Sequence, residues 1–522
     1  MDLRKKLVAA SDALIVALLA FLVLGSTLCF GGGVWWFRPV LTVGASLLVL
    51  AKLLQYLLLG RMPILKSPLT LLGVTALGLG AVQLLPLPPG LADRLSPAGH
   101  EAHMRGQLAG QVLAQDAEAV LPEPPEVRSP SSLDRSATVR WLVGAAACIG
   151  VFWTAAHFAD RLSRLYLIWG LVIAAFLVNA SLALVQLANR SDGLYGAIIP
   201  GGGSIWAPSL NDLLEAPGTA VLRTLPGDRP GGPGAAHAVL LPVRPFLLGT
   251  TMGGGGAFLA LGMMAMPLAM AVSLHLIAPR GSRESFADRL GQAGQGSLVV
   301  LLLLYLFAGA FLLALISAPW QCLPLALGLA AVGMPALIRP GSRWSAFGLI
   351  VLLLAGAGLG GSLRTAWPDL LGGQVPVRPP DLDSARGLWS EALGVIRAFP
   401  YLGSGLGTCG TVDPYFKSDD PTSNTAMSTL LQWASEAGAA GLGILAIGLL
   451  WCLIRLPIGL SRVGRFDRSL AHGLIGAALS FSLFAAIHWT VELTSVALSA
   501  SALGGTCNRW LAGGTDLFVD RR

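Results

Sequence analysis

The sequence predicts an all-α polytopic membrane protein with about twelve transmembrane helices and a large late outer loop carrying amphipathic helices. Three observations predict it. Of 522 residues, 54% are apolar and only 12% charged, about half the charge of a soluble domain. Apolar runs recur at the length needed to cross a hydrocarbon core, ~20 residues. Basic residues gather in alternate short connections, the pattern that fixes orientation in a membrane.

The first run follows Arg4, Lys5 and Lys6. Its basic start resembles a signal peptide, but the apolar stretch is too long and no cleavage site follows, so it reads as a retained span. Twelve candidate spans follow one another: 10–31, 39–60, 68–87, 139–158, 165–187, 256–278, 298–317, 320–338, 345–363, 437–456, 470–489 and 493–512. With that count, Arg61 and Lys66, Arg161 and Arg164, Arg280, Arg283 and Arg289, Arg339 and Arg343, and Arg455, Arg462, Arg465 and Arg468 fall on one side. Both termini are then cytoplasmic. The net charge of +7 is accounted for by these topology signals, which argues against a nucleic-acid partner. Six scattered cysteines without a CxxC pair or histidine cluster support neither a disulfide framework nor a metal site.

The chain divides into an N-terminal membrane bundle (1–363) with outer loops at 88–138 and 188–255, an outer helical loop (364–436) and C-terminal membrane helices (437–522). The first two loops look irregular and rich in Pro, while the third has helical patterning. Lys52 and Gln55 fall inside the second span. An intramembrane charge is a candidate functional residue, but Lys52 lies ~13 Å along a helix from Arg61, within reach of partial snorkelling or of packing inside the bundle. The glycines at 253–256 open a span without the strand–helix context of a nucleotide site, and read as tight backbone packing at a helix entrance. His488, beside Trp489 and Glu492 near an outer mouth, reads as a packed hydrogen-bonding residue.

Chemistry points to the third loop, DSARGLWSEALGVIRAFPYLGSGLGTCGTVDPYFKSDDPTSNTAMSTLLQWASEAGAAGLGIL from Asp383. Asp383 or Ser384 can cap a helix start. Leu388, Ala392, Val395, Ile396 and Phe399 make one greasy face, with Arg386, Glu391 and Arg397 off it. Pro400 and Gly403, Gly405 and Gly407 stop the helix. A second helical run, Met427 to Ala434, leads through Glu436 and Gly438 into the next span. Arg386 is the leading candidate, because a guanidinium makes bidentate contacts with phosphate oxygens. Arg364, Arg244 and Arg397 are candidate helpers. Glu436 is a candidate proton acceptor or the partner of an arginine. Asp413, Tyr415 and Gln432 are candidates for sugar hydroxyls.

These residues resemble the O-antigen ligase and polymerase superfamily. Its pattern is an Arg, a Trp three residues on, a helix, Pro-x-x-Gly-x-Gly-x-Gly, a loop Tyr, then Leu-Gln, Glu and Gly opening a span. Arg386, Trp389, Pro400, Gly403, Gly405, Gly407, Tyr415, Leu431, Gln432, Glu436 and Gly438 stand in those places. Weaker echoes are QLLPLPPGLADRLSP (83–97) and HWTVELTSVALSASALGG (488–505), with Glu492 where Asp is usual. Two family elements differ. Ala426-Met427-Ser428 stands where ligases carry Ala-His-Asn, and Gly253 to Gly256 stands where many members carry Asn-Arg-Asn-His.

The resemblance implies a GT-C-like fold in a bacterial inner membrane. It implies a metal-independent, cofactor-free glycosyltransferase that moves a glycan from undecaprenyl diphosphate to a hydroxyl acceptor on lipid core, polymer or protein, with membrane lipid around the carrier tail. The missing histidine leaves open a homologue that binds lipid-linked glycan without transferring it. A transporter in polysaccharide export is the remaining alternative.

Overall fold

The computed structural model describes residues 2–29, 37–60, 65, 67–105, 129–189, 255–277, 295–339, 342–370, 382–412, 416, 428–462, 468–488 and 494–512. Among them, ten helices are long and apolar enough to cross a membrane. The chain is an all-α polytopic membrane protein.

Helix α1 runs from Asp2 to Ala20, then through a π-helical turn, Phe21–Gly25, to Leu28. It is followed by α2 (Phe37–Leu59), α3 (Leu69–Leu84), the short α4 (Pro89–Leu95), α5 (Arg135–Phe158) and α6 (Leu162–Asn189). Beyond them come α7 (Gly255–Ile277), α8 (Gln295–Ile316), α9 (Pro319–Ile338) and α10 (Arg343–Leu370). The last third holds α11 (Leu382–Ala398), the single turn α12 (Cys409–Val412), α13 (Thr429–Arg462), α14 (Arg468–Ile487) and α15 (Thr494–Leu511). Two of the twelve candidate spans fall outside the ten. Helix α3 is apolar but only 16 residues long, and α15 carries Asn508 and Arg509 within its 18 residues.

Helix α7 is the hub. Of its apolar window 94% is buried, against 17–56% for the other nine. Met263, Met264, Met266 and Met270 fill its surroundings with unbranched side chains that adapt to irregular gaps. Phe176 of α6 stacks on Phe258 at 4.8 Å and meets Tyr305 of α8 edge-on at 5.5 Å. At the rim, large apolar side chains stay uncovered: Leu57 is 78% exposed, Leu304 62% and Leu449 62%. A soluble surface would not tolerate that arrangement, whereas lipid contact requires it.

Small residues set the closest crossings, as expected where packing rather than water exclusion drives association. A Cβ placed on Gly356 or Gly360 of α10 would lie 2.6 Å from the Phe307 carbonyl oxygen or 2.2 Å from that of Phe311. The two glycines, four residues apart, therefore let α8 and α10 touch backbone to backbone. Gly256 makes room for a side chain at the entrance of α7, where a Cβ would stand 2.4 Å from the His488 ring. His488 is 9% exposed and stacks on Phe484 at 4.9 Å, the packed role its sequence context suggests.

The described ends of the first long loop (88–105 and 129–134) hold more regular structure than its proline content suggests. Pro86–Leu87 (β1) pairs antiparallel with Ser129–Pro130 (β2), and besides α4, residues 97–105 are helical. The Pro-rich composition hid two short helices, one of which starts with Pro89 at its first position, where a missing N–H costs nothing. The second loop, 188–255, lies almost entirely outside the described residues.

Candidate functional site

One end of the bundle is built around a glycine-rich turn. Helix α11 stops at Ala398, and Gly403, Gly405 and Gly407 follow at φ of +74°, +115° and +79°, which side-chain-bearing residues rarely adopt. Gly403 also has no room, since its Cβ would lie 2.2 Å from the carbonyl of Glu436. Helix α13 is capped by the preceding Ser428, whose Oγ accepts from the Leu431 N–H at 3.1 Å. It kinks at Gly438 (φ 60°, ψ −157°) before continuing as a span. The kink leaves N–H groups of the next turn without helical partners, and Ala439 and Ala440 donate instead to the carbonyls of Pro400 and Tyr401 at 2.9 and 3.2 Å.

Two buried side chains hold the turn. The Glu436 carboxylate accepts from the Gly407 N–H at 2.8 Å and the Cys409 N–H at 3.0 Å, and Gln432 Nε2 donates to it at 3.2 Å. Gln83, at the end of α3 and fully buried, donates Nε2 to the carbonyls of Leu402 (2.6 Å) and Glu436 (2.9 Å). Its Oε1 accepts from the Leu406 N–H at 2.9 Å. The loop before α5 closes the base. The Leu133 N–H donates to the Ser404 carbonyl at 3.0 Å, and Asp134 accepts from Ala137 N–H at 3.0 Å and Thr411 Oγ1 at 3.2 Å.

Helix α11 lies on this base. Ala385, Ala392, Val395 and Phe399 are buried. Val395 and Phe399 share a small apolar cluster with Val412, packed by Ala98, Leu133 and Phe416. The opposite stripe, Arg386, Ser390, Leu393 and Arg397, is exposed. Arg386 Nη1 pairs with Asp383 Oδ1 at 3.1 Å, with the two side chains 64% and 89% exposed. Such a solvated pair is worth ~0.2–1 kcal/mol, so it gives way readily to a better anion. Arg386 and Arg397 are eleven residues apart, three turns and roughly 16 Å along the axis, and so share a face.

Glu436 and Gln432 are therefore brought together beneath the turn, while Arg386 and Arg397 face outward above it. Arg364 belongs elsewhere. From α10 its Nη1 donates to the carbonyl of Ser317, which follows the end of α8, a favourable place for a cation. Arg244, Asp413 and Tyr415 lie outside the described residues. The sequence-based reading missed Gln83 and Asp134. A lone amide ending the apolar run of α3 was the available signal for Gln83, and the sequence Asp134-Arg-Ser-Ala before a span was the N-cap signal for Asp134.

Comparison with protein-family models and with curated proteins returned no match.

Proposed function

We propose that this end of the bundle binds the diphosphate of a lipid-linked glycan at the outer face of a bacterial inner membrane. There the protein passes the glycan from undecaprenyl diphosphate to a hydroxyl acceptor, in the manner of the O-antigen ligases and polymerases that the stretch from Arg386 to Gly438 resembles. One observation carries the reading: an amphipathic helix at the end of a membrane bundle is anchored on a locked turn and turns two arginines outward. In this reading α11, standing at the end of the bundle, meets the membrane at headgroup level, the depth of a lipid diphosphate. A guanidinium–phosphate contact then contributes ~1.5–3 kcal/mol as a charge-assisted hydrogen bond. Stabilising the diphosphate as it leaves lowers the demand on any base that activates the acceptor.

Glu436 enters this reading as the residue that fixes the turn. Both of its oxygens receive backbone N–H groups, which favours a second reading, binding of the lipid-linked glycan without transfer. The test uses vesicles containing the full chain and undecaprenyl-diphosphate-linked oligosaccharide. Arg386→Ala is expected to lower retention of the lipid-linked glycan by roughly 10- to 150-fold, and transfer with it. Retention that depends on Arg386, with no transfer to lipid-core, polymer or peptide acceptors, selects the second reading. Retention unchanged by Arg386→Ala refutes both.

A further inference from the structure

The opposite end of the bundle gathers charge from four elements. Lys52 Nζ donates to Gln55 Oε1 at 2.8 Å, and Gln55 Nε2 donates to Asp12 Oδ1 at 2.6 Å. Arg164 takes the other Asp12 oxygen at 2.5 Å and Asp160 at 2.9 Å. Both carboxylates are thus committed to Arg164 and Gln55. Lys52 does not snorkel to the surface. It is 3% exposed, lies 5.0 Å from the Tyr56 ring and 5.9 Å from that of Phe158, and has no carboxylate within ion-pair distance among the described residues.

Arg509 of α15 lies within electrostatic reach of both Lys52 and Tyr56. Among the described residues, Lys52, Arg164 and Arg509 thus face Asp12 and Asp160, a surplus of one positive charge. The unsatisfied groups point the same way. Tyr56 OH, Asn508 Nδ2 and Arg509 Nε are buried without a hydrogen-bond partner, and all three are donors. Tyr56 is 7% exposed and Asn508 0%. A network that merely locked helices together would balance its charges and satisfy its donors. Among the described residues, this one is short of acceptors.

An open cleft adjoins the network at Asp12. A cleft of about 410 Å³ is lined by Arg4, Lys5, Val8, Ala9, Asp12 and Leu59. Leu59 stands two turns beyond Lys52 on the same face of α2, roughly 10 Å away. Two further cations, Arg4 and Lys5, therefore line this cleft, and the Asp12 carboxylate beside them is already paired with Arg164.

We infer that this end of the protein binds a phosphate oxyanion, as a lipid phosphodiester or a soluble phosphate, seated among Lys52, Tyr56, Asn508 and Arg509 and admitted past Arg4 and Lys5. Basic pockets between membrane helices hold lipid phosphates by this chemistry. The site is separate from the glycine-rich turn, and its test does not depend on glycan binding.

The experiment compares the full chain with Lys52→Met and Arg509→Gln in two arms. The first measures phosphatidylglycerol co-purifying with protein extracted from mixed phosphatidylglycerol and phosphatidylcholine vesicles, read by native mass spectrometry. The second measures the thermal midpoint in phosphatidylcholine nanodiscs with inorganic phosphate against chloride at equal ionic strength. Retained phosphatidylglycerol that falls about tenfold in each variant, without a phosphate-induced shift, identifies a lipid phosphodiester. A midpoint raised by phosphate in the wild type and not in the variants identifies a soluble phosphate. If Lys52→Met does not fold, Arg509→Gln and Tyr56→Phe are read in its place. Equal behaviour of wild type and folded variants in both arms overturns the proposal.

Discussion

Replacing Glu436 isolates what the glycine-rich turn rests on. In Glu436→Ala, the Gly407 and Cys409 N–H groups and Gln432 Nε2 lose their common acceptor. The side chain is only 2% exposed, so water does not simply replace it. Each buried donor left without an acceptor costs ~1–3 kcal/mol, and the two backbone groups alone give about 2–6 kcal/mol. Glu436→Gln keeps the shape and one oxygen but sets an NH₂ against a backbone N–H, so roughly half of that loss is expected. Cys409 supplies the assay, because it is 7% exposed and its own N–H is one of the two released. With the other five cysteines replaced, maleimide labelling of Cys409 reports how often the turn opens. A loosening of about 3 kcal/mol raises that rate roughly a hundredfold, with a smaller rise in the glutamine variant. Labelling rates equal to wild type in both variants would refute the assignment of Glu436 as the turn's anchor. A loss of glycan transfer without faster labelling would instead restore it as a proton acceptor.

Three further perturbations follow from the same geometry. Gly438→Ala puts a Cβ 2.4 Å from the Tyr401 carbonyl at a φ of +60°. It should lower the thermal midpoint in detergent and accelerate Cys409 labelling, and an unchanged midpoint would argue against the close crossing there. Gly360→Val should open the α8–α10 seam, where even one carbon lies 2.2 Å from a carbonyl oxygen; a cysteine pair placed across the seam should then cross-link more slowly. Asp134→Ala removes the cap of α5 and is expected to cost ~1 kcal/mol. Burial opposes the Asp134 carboxylate, but hydrogen bonds from Ala137, Ser136 and Thr411 outweigh it and hold it below its ordinary value. A carboxylate depressed by folding stabilises above its unfolded value and stops doing so as pH falls through its folded one. The difference between wild type and Asp134→Ala should therefore be full at neutral pH and fade in acid; a gap that persists below the carboxylate range would contradict it.

Much of this protein can be read along the chain because its dominant forces are local. Apolar length and flanking charge locate the membrane helices, and the spacing of Ala392, Val395 and Phe399 predicts which face of α11 is covered. The period and the packing agree because both follow from 3.6 residues per turn. What the sequence conceals is long-range polar pairing. Arg164 looks like a topology signal, yet it joins Asp12 across 152 positions. Glu436 reads from the sequence as a proton acceptor or an arginine's partner, and nothing there points to the Gly407 and Cys409 N–H groups that its carboxylate receives. Backbone donors carry no residue-type signature, so no motif announces them. The irregular-looking first loop hid α4 for a related reason, since proline marks a loop and a helix start with the same letter.

The tethers of Gln83 also impose an order on biogenesis. Its partners at Leu402 and Glu436 lie 319 and 353 positions downstream. At ~5–20 residues per second, the ribosome reaches them roughly 20–70 s after Gln83 has emerged. Until residue 402 is made, the end of α3 carries an amide without either of its native acceptors, and a chain stopped before that residue would keep it so. Until then, α3, apolar but at 16 residues short of a full crossing, depends on its neighbours to hold its end in place.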